Sequence, residues 1–239
     1  MHRHARLAVP IGLVCLACLP GMAAAQDLNL DLGDGSVTLR TVQLIALLTV
    51  LSLAPGIAVT ITCFPFIVTV LSIMRQAIGL QAAPPNMLII SLAMFLTYFV
   101  MEPVVMAAWD IGIGPLTRGE MEPADAIPAA IEPFRTFMMA RVDVDTLAHL
   151  ADLRPQAEEG ALSVLVPSFL LSEITRAFQI GFLVFMPFLI IDMVAAAILM
   201  SMGMMMVPPA IVSLPFKLAF FVVVDGWTLI SGALVRSYL

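Results

Sequence analysis

Charge is what this chain has least of. Only 12% of its 239 residues are Asp, Glu, Lys or Arg, about half the share of an ordinary soluble domain. Histidine is almost missing: His2, His4 and His149 are the whole supply. Two of them fall in the first few residues, so a histidine-based metal or catalytic site has little to work with. No HExxH, GxSxG or phosphate-loop pattern occurs, which removes the usual carriers of zinc hydrolysis, serine hydrolysis and nucleotide binding. Cys15, Cys18 and Cys63 have the spacing of neither a zinc site nor a disulfide framework. Cys63 reads as a small buried hydrophobe. A basic stripe is lacking too. The formal net charge is −6, unsuited to a nucleic-acid binder. No cofactor and no enzymatic activity are expected.

Apolar surface is what the chain has in excess. Hydrophobic residues make up 61% of it, more than one soluble core of this size can bury, so much of the chain must face lipid or other apolar protein. The N-terminus has the three parts of a secretory signal. His2-Arg3-His4-Ala5-Arg6 is positive, Leu7 to Leu19 is apolar, and Ala23-Ala24-Ala25 follows a Pro20-Gly21 break. Cleavage is expected after Ala25, leaving Gln26 outside the cytoplasm. The alternative, an uncleaved anchor, requires a run longer than this one.

Four apolar segments follow. Val42 to Met74 is too long for one simple span and is interrupted by Pro55-Gly56, where a break or tilt is expected. Arg75-Gln76 opens the first turn, and Asn86 to Ala107 is a helix of spanning length. Asp110 to Glu159 holds ten acidic residues and four arginines and reads as a water-facing segment. Within it, Ile131 to Leu150 has amphipathic helical spacing. Ser172 to Arg176 is a polar interruption, after which Phe178 to Met202 and Ile211 to Leu234 read as two more spanning helices. The expected fold is an all-α membrane protein: two helical hairpins with double-proline turns and a small periplasmic helical segment. The boundaries are 1–25 signal peptide, 26–107 first hairpin, 108–161 acidic segment and 162–239 second hairpin. Four spans after a cleaved signal put both mature ends in the periplasm, and Arg75 agrees with a cytoplasmic first turn.

The two hairpins echo each other: Phe64-Pro65-Phe66 leads to Pro84-Pro85, and Met186-Pro187-Phe188 to Pro208-Pro209. A double proline suits the first turn of a returning helix, where a missing N–H is harmless. Parallel repeats occur in transporters; short matches also arise by chance in apolar sequence.

Ionisable residues in apolar segments are costly and functional by default. Asp192 and Lys217 lie at similar distances from a turn near Met204-Met205, each roughly 18 Å along its helix. They are therefore level and are expected to form an ion pair, within the hairpin or between subunits. Glu173 and Arg176, three residues apart, suit a local helical pair or a polar contact between subunits. Met202 to Met206, interrupted by Gly203, is either ordinary apolar filler or a deformable seal, since methionine adapts to changing gaps.

Two long stretches carry a family resemblance. The first runs from Phe66-Ile67-Val68-Thr69 through Met74-Arg75-Gln76-Ala77-Ile78-Gly79, Pro84-Pro85-Asn86 and Thr97 to Glu102-Pro103-Val104. The second runs from Val166-Pro167-Ser168-Phe169 and Ser172-Glu173 through Ala177 to Phe182 and Pro187 to Asp192. It continues through Met200 to Met206, Pro208-Pro209 and Leu214-Pro215-Phe216-Lys217 to Asp225-Gly226-Trp227. With the weaker Glu132-Pro133-Phe134-Arg135 between them, they resemble the FliP family of flagellar biosynthetic proteins and its injectisome counterparts. Phe64-Pro65-Phe66 departs from the family, many members of which carry Thr and Ser there.

The resemblance implies a ring of five copies in the inner membrane at the flagellar basal body. The smaller membrane subunits FliQ and FliR and other export apparatus proteins would join it. Unfolded export substrates would pass through its centre, driven by energy supplied elsewhere. It implies a pore gasket at Met204, Met205 and Met206 and subunit contacts at Glu173, with Arg176 and Phe137 the further candidates. It also implies that the hairpins need not lie as simple spans in the assembled gate. A small-solute transporter and an intramembrane hydrolase are the alternatives. A transporter would move a solute when purified alone, and a hydrolase needs a catalytic set that is not in the sequence.

Overall fold

A computed structural model describes residues 36–80, 84–156, 158, 160–204 and 206–238. The expected cleavage after Ala25 lies outside them, as does Met205. The described residues are helical, with no strand among them. The chain forms two units, Met1–Leu51 and Ser52–Leu239. The first is described from Ser36 onward as helix, with Val42, Leu44, Ile45, Leu48 and Leu51 exposed.

Helix α1 (Ser36–Thr60) runs straight through the expected break at Pro55-Gly56. Apolar helices tolerate a proline when neighbouring groups satisfy the freed carbonyl. The chain breaks instead at 61–63. There Thr60 Oγ1 donates to the Ile57 carbonyl (2.7 Å) and Thr62 Oγ1 to that of Val59 (3.0 Å), satisfying carbonyls at the helix end. Helix α2 (Phe64–Ile78) then starts with Pro65 in its first turn, where no N–H is needed. It ends on Gly79, at φ 87°. Arg75 and Gln76 therefore sit in the last turn of α2, not in the turn beyond it.

Helix α3 (Asn86–Ala108) continues through a π-helical turn (Trp109–Ile113) into α4 (Gly114–Thr117). The acidic segment holds α5 (Pro123–Arg141) and α6 (Val144–Asp152). The amphipathic stretch expected over 131–150 thus begins earlier and is cut in two. Asp143 makes the cut, because its carboxylate accepts the Thr146 N–H at 2.9 Å and caps α6.

Helix α7 (Leu162–Ser201) is unbroken over 40 residues, so Ser172 to Arg176 is a polar face and no interruption. Helices α8 (Pro209–Val223) and α9 (Gly226–Arg236) replace the single helix expected over 211–234, with a 60° bend between them. Asp225, at φ 49°, makes the bend; Asp tolerates this left-handed region better than most residues. Gly226 lets the Phe221 ring close over the corner, where a Cβ would lie 2.1 Å from Phe221 Cε2.

Of the apolar helices, α2 is the most deeply buried. Phe66, Ile67, Val70, Leu71, Met74 and Ala77 of α2 have no exposed surface. Around them pack Ala93 and Met101 of α3, Ala177 and Phe188 of α7, Phe221 of α8 and Leu234 of α9. At Gly181 of α7 the contact with α2 is close: a Cβ there would lie 2.4 Å from Ile73 Cδ1. The other apolar helices carry large apolar side chains outward, among them Phe95, Phe182 and Val223. Among the described residues three helices are long and apolar enough to cross a membrane, or four if the bent α8–α9 pair is one span. Such an outward apolar surface suits lipid or neighbouring protein.

Candidate functional site

Helix α7 carries three polar or adaptable features in order: Glu173, Asp192 and the methionine turn at its end. That turn has a defined closure. The Gly203 N–H bonds to the Met200 carbonyl (3.1 Å) and the Met204 N–H to that of Leu199 (3.0 Å), with Gly203 at φ 75°. This is the Schellman arrangement, which satisfies the last carbonyls of a helix and reverses the chain. Pro208 and Pro209 then open α8. Met202 and Met204 are exposed, and Met206 is 97% exposed. An apolar cleft lined by Ile190, Val194, Ile198, Met202, Met204 and Phe216 lies beside the turn.

Lys217 Nζ lies 2.6 Å from Asp192 Oδ2, joining α8 to α7 within one chain. Two partners complete the group. Ser213 Oγ donates to Asp192 Oδ1 at 2.5 Å, and Lys217 Nζ donates to the Ala77 carbonyl at 3.1 Å. Ala77 sits in the last turn of α2, whose carbonyls have no intrahelical partner and whose dipole favours a cation. The ammonium therefore ties three helices together. Nothing in the sequence pointed to Ala77. Ser213 was within reach of inference, because it lies four residues before Lys217 on the same face.

Glu173 has no exposed surface. Its Oε1 accepts from Arg176 Nη1 at 3.0 Å and from Arg141 Nε at 3.3 Å, and its Oε2 accepts from the Tyr238 hydroxyl. Arg176 Nη2 donates onward to the Arg141 carbonyl at 3.3 Å. The local Glu173–Arg176 pair is thus half of a larger group. Arg141 and Tyr238 were not anticipated, since each lies more than thirty residues from Glu173 and no local period links them. Arg141 Nη2 is buried and has no hydrogen-bond partner among the described residues. Phe137 is half-buried one turn before Arg141, with its ring edge-on to Phe169 at 5.8 Å.

Arg75 spans the turn that follows α2. Its Nη1 donates to the Pro84 carbonyl at 3.3 Å and to Asn86 Oδ1, and Gln76 beside it is exposed. The geometry therefore gathers the predicted residues into four places: a methionine turn, a Lys–Asp–Ser group, a buried Glu–Arg–Arg–Tyr group and an arginine across the α2–α3 turn. Among the described residues no group of His, Cys, Asp and Glu is placed to hold a metal ion.

A model of the FliP family matches residues 47–234, a range that takes in every residue of the four places except Tyr238. The chain is 51% identical over 245 residues to the flagellar biosynthetic protein FliP of Caulobacter vibrioides, with 100% of this chain and 92% of that one covered. To that of Agrobacterium fabrum it is 44% identical, with 95% and 98% covered. To that of Bacillus subtilis it is 45% identical, with 83% and 92% covered. With a family model covering most of its length and relatives this similar, the chain belongs to the FliP family.

Proposed function

We propose that this chain is a core subunit of the flagellar type III export gate, in the bacterial inner membrane at the basal body. There it forms, with further copies of itself, the central conduit for unfolded export substrates. The family match over residues 47–234 carries this reading, and the relatives named as flagellar biosynthetic proteins support it. The three or four apolar helices of spanning length among the described residues suit a membrane location. In this reading five copies assemble with FliQ and FliR after the signal peptide is removed at Ala25. The α2–α3 and α7–α8 pairs act as the two double-proline hairpins, with Arg75 and Gln76 toward the cytoplasmic turn. The chain has no catalytic role; its work is assembly and sealing.

Met204, Met205 and Met206 form the seal. What supports this is a glycine-closed turn with Met204 and Met206 exposed at its tip, and the ability of methionine to repack around a changing gap. The face carrying Phe137, Glu173 and Arg176 governs contacts between copies. Deleting the gene should abolish export of filament proteins, and complementation should restore it. Replacing the three methionines together by alanine should leave assembly intact and make the membrane leaky to small ions, read as a collapse of membrane potential when the gate is overproduced. Tight membranes would place the seal elsewhere. A stable, partner-free monomer in gentle detergent would overturn the gate reading itself.

A further inference from the structure

We propose that Ser237-Tyr238, the segment following α9, is a clasp that holds Glu173 in place from within its own chain, with Tyr238 and Arg141 as positioning residues for the subunit face. The proposal rests on the gate reading for the meaning of that face, though not for the existence of the clasp.

Glu173 has nothing left to offer a neighbour. It has no exposed surface, and both oxygens are taken by donors from three parts of the chain: Arg176 on α7, Arg141 on α5 and Tyr238 after α9. A carboxylate removed from water needs such donors, since an unpaired buried charge is costly. Any influence of Glu173 on assembly must therefore pass through the groups that it holds.

Arg141 and Tyr238 are those groups, and each is bound to the other. Arg141 Nη1 donates to the Ser237 carbonyl at 2.7 Å. Its guanidinium lies over the Tyr238 ring, 4.0 Å from the centroid, within the range of a cation–π contact. The same ring stacks on Phe137 at 6.0 Å and meets Phe66 of α2 edge-on at 5.5 Å. One side chain thus touches α2, α5 and α7, with its hydroxyl closing the carboxylate and its ring supporting Phe137. Phe137 and Arg176 keep partial exposure and can meet a neighbour. Glu173 and Tyr238 set where they stand. A second link closes the same corner, where the Asp143 N–H donates to Ser172 Oγ at 3.0 Å.

The test uses the full chain purified in detergent, as Tyr238→Phe, Glu173→Gln and the double variant. Tyr238→Phe keeps the ring and removes only the donor, so folding should survive. Hydrogen exchange at the amides of Arg141, Val142 and Ser237 reads the clasp, and native mass reads the assembly. We expect each single variant to speed exchange at these amides about tenfold or more, the scale of a hydrogen bond to a charged group. The double variant should add little to Glu173→Gln, because the Tyr238 hydroxyl has by then already lost its carboxylate partner. Both variants should also lower the oligomer fraction. Unchanged exchange in Tyr238→Phe, or additive effects in the double variant, would overturn the clasp. Faster exchange with an undiminished oligomer fraction would overturn its role in positioning the subunit face. If the unaltered chain forms no oligomer, the gate reading fails, while the exchange data still decide whether the clasp exists.

Discussion

Glu173 and Asp192 stand on one helix, α7, and solve the same problem differently. They are roughly 28 Å apart along α7. The Glu173 side chain is wholly buried and is met by two guanidinium groups and a phenol. The Asp192 side chain keeps 36% of its surface, and its partner Lys217 only 7%. In the first group the anion is the desolvated member and gathers cations around it. In the second the cation is desolvated, and it gathers a carboxylate and a helix-end carbonyl. The number of donors or acceptors follows the depth of the buried charge, as the cost of desolvation requires.

This difference orders the expected effects of breaking each group. Glu173→Ala leaves Arg141 and Arg176 without their anion at a buried site. It should cost about 3–5 kcal/mol, measured as a shift in the denaturant midpoint of the detergent-solubilised protein. A loss no larger than that of the corresponding Asp192 variant would break the comparison. Asp192→Asn should cost less, about 1–3 kcal/mol, because the carboxylate is only partly buried and Lys217 keeps the Ala77 carbonyl. Lys217 is the only lysine in the sequence, so amine-reactive labelling read at its own peptide, apart from the N-terminal amine, reports on it. Labelling should quicken in Asp192→Asn, and an unchanged rate would show that the pair does not hold the ammonium in.

The smallest effect concerns Asp143, at the exposed rim of the first group. The Thr146 N–H and then the Thr146 hydroxyl hold its carboxyl below the usual carboxylate range. Its folded value is therefore below its unfolded one, about 3.9. The stability it lends to α6 is complete above that pH and is lost as pH falls through the folded value. Exchange at the Thr146 amide, corrected for its intrinsic pH dependence, should be flat from about pH 5 to pH 8 and rise only in acid. A rise across neutral pH would assign the cap to another group, and Asp143→Asn should remove the acid response.

Much of the fold was legible because helix rise and apolar length are local arithmetic. The spanning helices, the reversal at Gly203 and the level placement of Asp192 and Lys217 all follow from spacing. Other features were misread because a competing local signal was stronger than it looked. Pro55 suggested a break, yet Thr60 and Thr62 supplied the hydroxyls that end α1. Asp225-Gly226 carried a turn signal inside an apolar run, and the run's length concealed it. Ser172 to Arg176 looked like an interruption, but its spacing places the polar groups on one face of a continuous helix.

By itself the sequence determined the membrane class, the helical period, the family and the chemistry available at each site, because composition and spacing act along the chain. Only the tertiary structure decided that α2, a helix of 15 residues, is the centre of the core, and that Lys217 caps it. Only the tertiary structure brought Tyr238 and Arg141 onto Glu173. These contacts join residues 32 to 140 positions apart, and the free energy that selects them comes from satisfying charges within an apolar interior, which no local pattern encodes.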